Sequence, residues 1–348
     1  MVGGAPLART LVASPVWDIQ PMNEFELLAK VRKRLPPTGP KVLLGSGDDA
    51  AVTVPGGATA TSVDAFVEGV HFRREWGTLA QVGRKAMACA LSDLAAMGAW
   101  PGEAYAVVGV PGDLDEDGCL ELVDGLVGLA GETGTALVGG DVTRAPVLTL
   151  AITVVGHATR AEKLIGRGGA EVGDVLVLSG ELGGAAAGLL LMERPELAAA
   201  VPEQTAEHLR MKLLDPAPRL AAGRALATAQ ARAMIDLSDG LGGDARHLAA
   251  ASGVGLQIDA SALPLAKGVG EVAAAAGRDP LEFAATGGED YELLAALPPR
   301  WNLEAIARVG DTKETTLTQV GEVVAGAGVE IRLPGGGTLD PRGYDQLG

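Results

Sequence analysis

The chain reads as a mixed α/β protein of two domains. Its 348 residues exceed one average core, helical and strand-like segments alternate through the first half, and a glycine- and charge-rich stretch at 157–169 divides that half from a second α+β unit. The expected organisation is an N-terminal extension over 1–21, a first domain over 22–157 and a second over 158–348. The plainest reading of the extension is a disordered segment, or a start codon placed upstream of Met22.

The first helix is expected to begin at Asn23, with Glu26 three residues on to complete a capping box. Phe25, Leu28 and Val31 would share a face, and Pro36 and Pro37 stop the helix. Lys41–Leu44 reads as a strand entering the loop Gly45-Ser46-Gly47-Asp48-Asp49, and Ala58–Asp64 as a threonine-rich strand leading to Glu68, Gly69 and His71. Thr78 and Gln81 form the capping pattern of a second helix, closed by Gly98 and Pro101. There follow a strand at Glu103–Val110, a helix at Glu116–Gly131, a strand at Thr135–Val138, a turn at Gly139-Gly140-Asp141 and a strand at Val147–Gly156. Past the divide, strands are expected at Asp174–Ser179, Ala233–Leu237, Val254–Ile258 and Tyr291–Leu297, with helices at Gly184–Met192, Pro218–Ala227 and Leu241–Ala251. Glycine-punctuated strands close the chain.

The net charge of −16 disfavours nucleic acid and anionic membrane surfaces as partners. No apolar run is long enough to span a bilayer, and Cys89 and Cys119 lack disulfide or zinc spacing, so a reducing cytoplasm is expected. Walker loops, kinase catalytic loops, nucleophile elbows and H-E-x-x-H motifs are absent from the sequence. Gly45–Ala50 fits a G-x-G-x-x-A pattern, but two carboxylates inside the loop and Pro55-Gly56-Gly57 close behind it argue against a dinucleotide site.

Chemistry concentrates in aspartates beside glycine turns and strand ends: Asp48, Asp49, Asp64, Asp93, Asp141, Asp236, Asp239 and Asp244. Carboxylates crowded in a cleft must be protonated or bridged by cations, and magnesium, which shares its positions with waters and phosphates, suits them. Asp93 shares a helix stripe with Ala86, Ala90 and Met97, so it is either ion-paired to a distant arginine or part of a polar site. Ser238 and Asp239 stand at a helix N-terminus, as an ordinary cap or as a phosphate or metal site if the other aspartates converge on them. Glu289 and its acidic neighbours have a solvated turn as their default explanation. Arg144 and Arg167 are basic candidates for phosphate, and His71 could hydrogen-bond one.

Taken in order, seven segments resemble thiamine-monophosphate kinase, in the superfamily of aminoimidazole ribonucleotide synthetase. They are Asn23–Leu27, Gly45–Ala50, Ser62–Phe72, Leu91–Gly98, Gly139–Asp141, Asp236–Gly240 and Gly287–Leu293. The resemblance implies ATP-dependent phosphorylation of thiamine monophosphate, by direct in-line transfer with several Mg2+ ions, in a homodimer whose N-terminal strands close into a barrel across the two chains. It implies metal contacts at Asp49, Ser62, Val63, Asp64, Asp93, Asp141, Asp236 and Asp239, with catalysis depending most on Asp64 and Asp239. It further implies ATP contacts at Gly140, Asp141, Arg167 and Ser238, and substrate contacts at His71, Glu289 and Tyr344. Val63 stands where the family usually has threonine, and Ala90 where it often has asparagine. A threonine side-chain ligand would be lost at Val63; a carbonyl ligand would not. The C-terminal Tyr344–Gly348 lacks the cysteine of the hydrogenase-maturation relative, and no cysteine lies near the N-terminal glycine loop as selenophosphate synthetase requires. An aminoimidazole ribonucleotide synthetase-like enzyme and a silent nucleotide-binding scaffold are the alternatives.

Overall fold

The computed structural model describes residues 24–46, 50–300, 315–340 and 343. Helix α1 (Glu24–Arg34) and a small hairpin, β1 (Val42–Leu44) with β2 (Val52–Thr53), precede the first layered unit. That unit consists of β3 (Ala58–Val67), α2 (Leu79–Ala96), β4 (Trp100–Val110), α3 (Glu116–Thr133), β5 (Ala136–Arg144) and β6 (Thr149–Ala158). Its four strands lie in the order β3-β6-β4-β5. Helices α2 and α3 cover one face, where Phe66, Ala104, Ala106, Leu150, Ile152 and Val154 are buried. The alternate residues Val63 and Val107 remain exposed on the other face, the period-two pattern of a sheet covered on one side.

The second unit runs β7 (Val175–Ser179), α4 (Gly184–Glu193), α5 (Glu203–Leu214), α6 (Leu220–Thr228), β8 (Ala233–Asp236), α7 (Leu241–Ser252), β9 (Gly255–Asp259), α8 (Val269–Ala275), α9 (Pro280–Thr286), β10 (Leu293–Leu297), β11 (Leu317–Val324), β12 (Gly328–Arg332) and β13 (Thr338–Leu339). Its seven strands take the order β13-β12-β9-β11-β7-β10-β8, antiparallel except where β12 meets β9. All five residues of β10 are buried because both faces of this sheet are covered. Leu293, Ala295 and Leu297 join the core shared with α2 and α6, whereas Leu294 and Ala296 join the core under α4, α7 and α9.

Helix α2 therefore touches both sheets. Its N-terminus carries the expected capping box, with Thr78 Oγ1 accepting from Gln81 N at 3.2 Å and Gln81 Oε1 accepting from Thr78 N at 2.9 Å. Beyond its end, Gly98 takes a left-handed φ of 63°. Where α6 crosses α2, a Cβ at Gly223 would run into the carbonyl of Ala95, so the two helices meet backbone to backbone.

Three expectations are corrected. The Gly139-Gly140-Asp141 segment is no turn, since it lies inside β5, paired parallel to β4. A Cβ at Gly140 would meet the backbone of Ala106, so close strand approach explains that glycine. Tyr291 belongs to a turn, and β10 starts only at Leu293. On α1 the buried side is Leu27 with part-buried Val31, an i,i+4 pair, while Asn23 and the Phe25 side chain lie outside the described residues.

Candidate active site

The aspartates of both units meet at the seam where α2 packs on the second sheet. Asp93, half-buried on α2, accepts a hydrogen bond from Ser62 Oγ on β3. One residue earlier, Ser92 Oγ donates to Asp236 Oδ2 at 2.7 Å, joining α2 to the end of β8. Asp64 sits on the helix-covered face of β3; burial pushes its carboxyl up to about 6, and the charge of Asp93 adds to the rise. Asp236 is pushed up to about 7 by burial and then by Asp93, against the hydrogen bond from Ser92. Asp244, in the first turn of α7, is likewise pushed up to about 7 by burial and by Asp236 and Asp239. It accepts the backbone N–H of Asp239 at 3.0 Å and feels the opposing charge of Arg167. The structure brings Ser62, Asp64, Asp93 and Asp236 together, and links Asp239 and Arg167 to them through Asp244. Among the described residues no arginine pairs with Asp93. Asp48 and Asp49 lie outside the described residues.

Gly140, Asp141 and Val63 do not join this group within one chain. Across the sheet, Asp64 pairs with Ile152, Ile152 with Ala106 and Ala106 with Gly140, which places Gly140 three strand spacings away, roughly 14 Å. Asp141 lies opposite Val107 and Ala151 on the uncovered face, away from the face of Asp64. Val63 is 63% exposed on that same face, so its side chain does not reach the seam. Replacement of threonine by valine there removes no side chain from the aspartate group.

Beside the seam opens a cleft of about 340 Å³, lined by His71, Trp76, Ser238, Asp239, Glu289 and Tyr291 among others. His71 Nδ1 accepts the N–H of Val67 at 3.1 Å, and burial lowers the pKa of the ring. The neutral tautomer that fits carries its proton on Nε2, a hydrogen-bond donor for the cleft. Glu289 receives the ammonium of Lys85, Nζ to Oε1 3.1 Å. Tyr344 lies outside the described residues.

The acidic turn 287–292 is not a solvated one. Asp290 accepts the N–H groups of Gly183 and Ala185 at 2.7 and 3.2 Å, at the start of α4. Glu292, 1% exposed, takes Arg219 Nε at 2.8 Å and Ser179 Oγ at 2.6 Å. Glu289 and Tyr291 hold left-handed φ values of 67° and 50°, unusual for residues with side chains. Backbone bonds from Glu289 N to Ser238 O (2.8 Å) and from Tyr291 N to Leu237 O (2.9 Å) keep the turn against the Ser238–Asp239 loop. Sequence reasoning missed Lys85, although a lysine one helical turn from Val82, Ala88 and Cys89 was a legible signal.

Among the described residues, no three His, Cys, Asp or Glu side chains form a compact ligand group. Magnesium does not need one: it keeps several waters and takes one or two carboxylates together with substrate phosphates. The donor chemistry fits such an ion. The strongest influences on Asp64 and Asp236 are burial and neighbouring aspartates, rather than a basic side chain that would satisfy them.

Residues 47–158 match the N-terminal domain of AIR synthase related proteins, and residues 171–334 match the C-terminal domain. The thiamine-monophosphate kinase of Mycobacterium tuberculosis (strain ATCC 25618 / H37Rv) is 39% identical over 300 residues, which cover 84% of this chain and 86% of that one. This chain belongs to the thiamine-monophosphate kinase family. The crystal structure of thiamine-monophosphate kinase from Stenotrophomonas maltophilia K279a superposes with a TM-score of 0.78 at 35% identity, covering 89% of this chain and 96% of that one. AaThiL complexed with AMPPCP and TMP superposes with a TM-score of 0.71 at 32% identity, covering 82% of this chain and 86% of that one. The two-domain mixed α/β fold is that of the family.

A pH dependence follows from the seam. Asp64, Asp236 and Asp244 bind their protons more tightly folded than unfolded, where carboxyls titrate near 4. Their contribution to stability is therefore full below about pH 4 and is lost as pH rises to about 7. Thermal unfolding should show Mg2+ raising the Tm more at pH 8 than at pH 5.5. An equal rise at both pH values would separate these carboxylates from metal binding.

Proposed function

We propose that this chain transfers the terminal phosphoryl group of ATP to thiamine monophosphate, giving thiamine diphosphate and ADP. The observation that carries the reading is the adjacency of a buried carboxylate seam and a cleft offering His71 and Glu289, in a chain of this family. The AaThiL complex with AMPPCP and TMP supports both substrates. In the reaction, a phosphate oxygen of thiamine monophosphate forms a bond to the γ-phosphorus as the bond from that phosphorus to the β-bridging oxygen breaks, and ADP leaves with the electron pair. No phosphorylated protein group is needed.

Asp64, Asp93, Asp236 and Asp239, with Ser62 and the carbonyl of Val63, would hold Mg2+, and Asp49 joins them by resemblance. An ion held there would supply neutralisation of the phosphate charge on ATP and thiamine monophosphate. Arg167 and Ser238 orient ATP. His71 Nε2–H donates to the acceptor phosphate, while Glu289 and Tyr344 hold the rest of thiamine monophosphate. Turning α2 toward the second sheet keeps bulk water from the carboxylates.

The uncovered face of the four-stranded sheet, with Val63 and Val107 exposed and β3 and β5 as its edges, fits closure into a barrel by a second copy. Gly140 and Asp141, remote from Asp64 in one chain, would then serve a site to which both copies contribute. The described residues contain no helix long and apolar enough to cross a membrane, and with two free cysteines the cytoplasm is the proposed compartment.

Purified protein with γ-labelled ATP, Mg2+ and thiamine monophosphate is expected to yield labelled thiamine diphosphate. ADP formation indifferent to the thiamine compound would assign the chain to another reaction. Homodimers of Asp64→Asn and of Asp141→Asn should each be inactive, whereas heterodimers of the two should regain about half of the wild-type activity, because one of their two shared sites is intact. Heterodimers as inactive as the parents would place both aspartates in the site of a single chain.

A further inference from the structure

Lys85 is 4% exposed, in the middle of a helix face otherwise made of small and apolar residues. A buried ammonium is retained only with a partner, and here the partner is Glu289, from the second sheet's side of the seam. The Phe66 ring, two residues beyond Asp64, faces the same ammonium at 5.7 Å. Glu289 has its backbone fixed in a left-handed conformation and tied to Ser238, so the one freedom left to it is the direction of its side chain. Lys85 lies outside the lining of the cleft, whereas Glu289 lines it with its side chain 28% exposed.

We propose that Lys85 is a positioning residue for the substrate subsite, aiming the Glu289 carboxylate at thiamine monophosphate by holding one of its oxygens and leaving the other to the cleft. The inference rests on the assignment of that substrate to this cleft. Lys85 and Asp93 are eight residues apart on α2, about 12 Å along its axis. One rigid helix therefore sets the distance between the acceptor subsite and the carboxylate seam. The charges of Lys85 and Glu289 also reach His71 with opposite sign, which places all three groups around one end of the cleft.

The test is steady-state kinetics with each substrate varied in turn, together with calorimetric titration of thiamine monophosphate into the protein without ATP. Lys85→Met should raise the KM for thiamine monophosphate by about tenfold or more and leave that for ATP within about twofold, with weaker calorimetric binding to match. Lys85→Arg, which keeps the charge, should recover part of the loss. Glu289→Gln should show the same substrate-specific defect, and the Lys85→Met/Glu289→Gln double variant should be no worse than the weaker single variant by more than about twofold, since both changes break one interaction. Losses that multiply, or that fall equally on both substrates, overturn the proposal. Should Lys85→Met fail to fold, the double variant carries no unpaired buried charge and decides the matter: an unchanged KM for thiamine monophosphate overturns the proposal. Wild-type protein that ignores thiamine monophosphate would instead refute the substrate assignment itself.

Discussion

Several aspartates are drawn out of water together at one seam, and the cost of that burial, added to by their mutual repulsion, is the constraint on which the structure turns. A carboxylate moved from 3.8 to about 7, as at Asp236, costs on the order of 4 kcal/mol to keep ionised above neutral pH. That is a large part of the 5–15 kcal/mol by which an ordinary domain is stable. Such a cost is sustained only where a cation relieves it or the rest of the fold holds the groups in place. Here α2 does the holding. Gly223 lets α6 approach it to backbone contact, β3, β6 and β8 pack around it, and Ser92 and Asp93 carry the hydrogen bonds to Asp236 and Ser62.

The division of labour follows from this geometry. The first sheet supplies Ser62 and Asp64, α2 supplies Asp93, and the second sheet supplies Asp236 and the Ser238–Asp239 loop, so neither half alone assembles the carboxylates. The cleft side is built differently, from a turn with left-handed residues. Left-handed Glu289 and Tyr291 persist because Asp290 caps α4, Glu292 pairs with Arg219, and backbone bonds fasten the turn to Leu237 and Ser238. The carboxylate seam and the cleft are thereby mounted on one connected frame, in which a shift of α2 would move both.

Much of this was legible in the sequence where the signal is local. The Thr78–Gln81 capping box and the apolar strand, expected at Tyr291–Leu297 and found at Leu293–Leu297, follow from capping chemistry and periodicity. Of the aspartates expected beside strand ends and glycine turns, Asp236 and Asp239 lie there, whereas Asp64 and Asp141 are inside β3 and β5 and Asp93 and Asp244 are on helices. What needed the third dimension was strand parity and partner choice. Gly139-Gly140-Asp141 looks like a turn because glycine pairs usually are, yet Ala106 demands the glycine inside a strand. Val63 and Asp141 fall on the uncovered face, which a motif cannot reveal without the register of β3, β6, β4 and β5. The acidic turn concealed three unrelated partnerships, with Lys85, the α4 N-terminus and Arg219, since all of them lie far away in sequence.

We propose that the seam carboxylates are held together for divalent cations shared with nucleotide phosphates. Electron paramagnetic resonance of Mn2+ in the presence of AMPPCP tests it most directly, on the wild-type protein and on Asp236→Asn. The account predicts several bound ions in the wild type and affinity at least about tenfold weaker in the variant, with unchanged circular dichroism. Equal Mn2+ binding by the two proteins would contradict it.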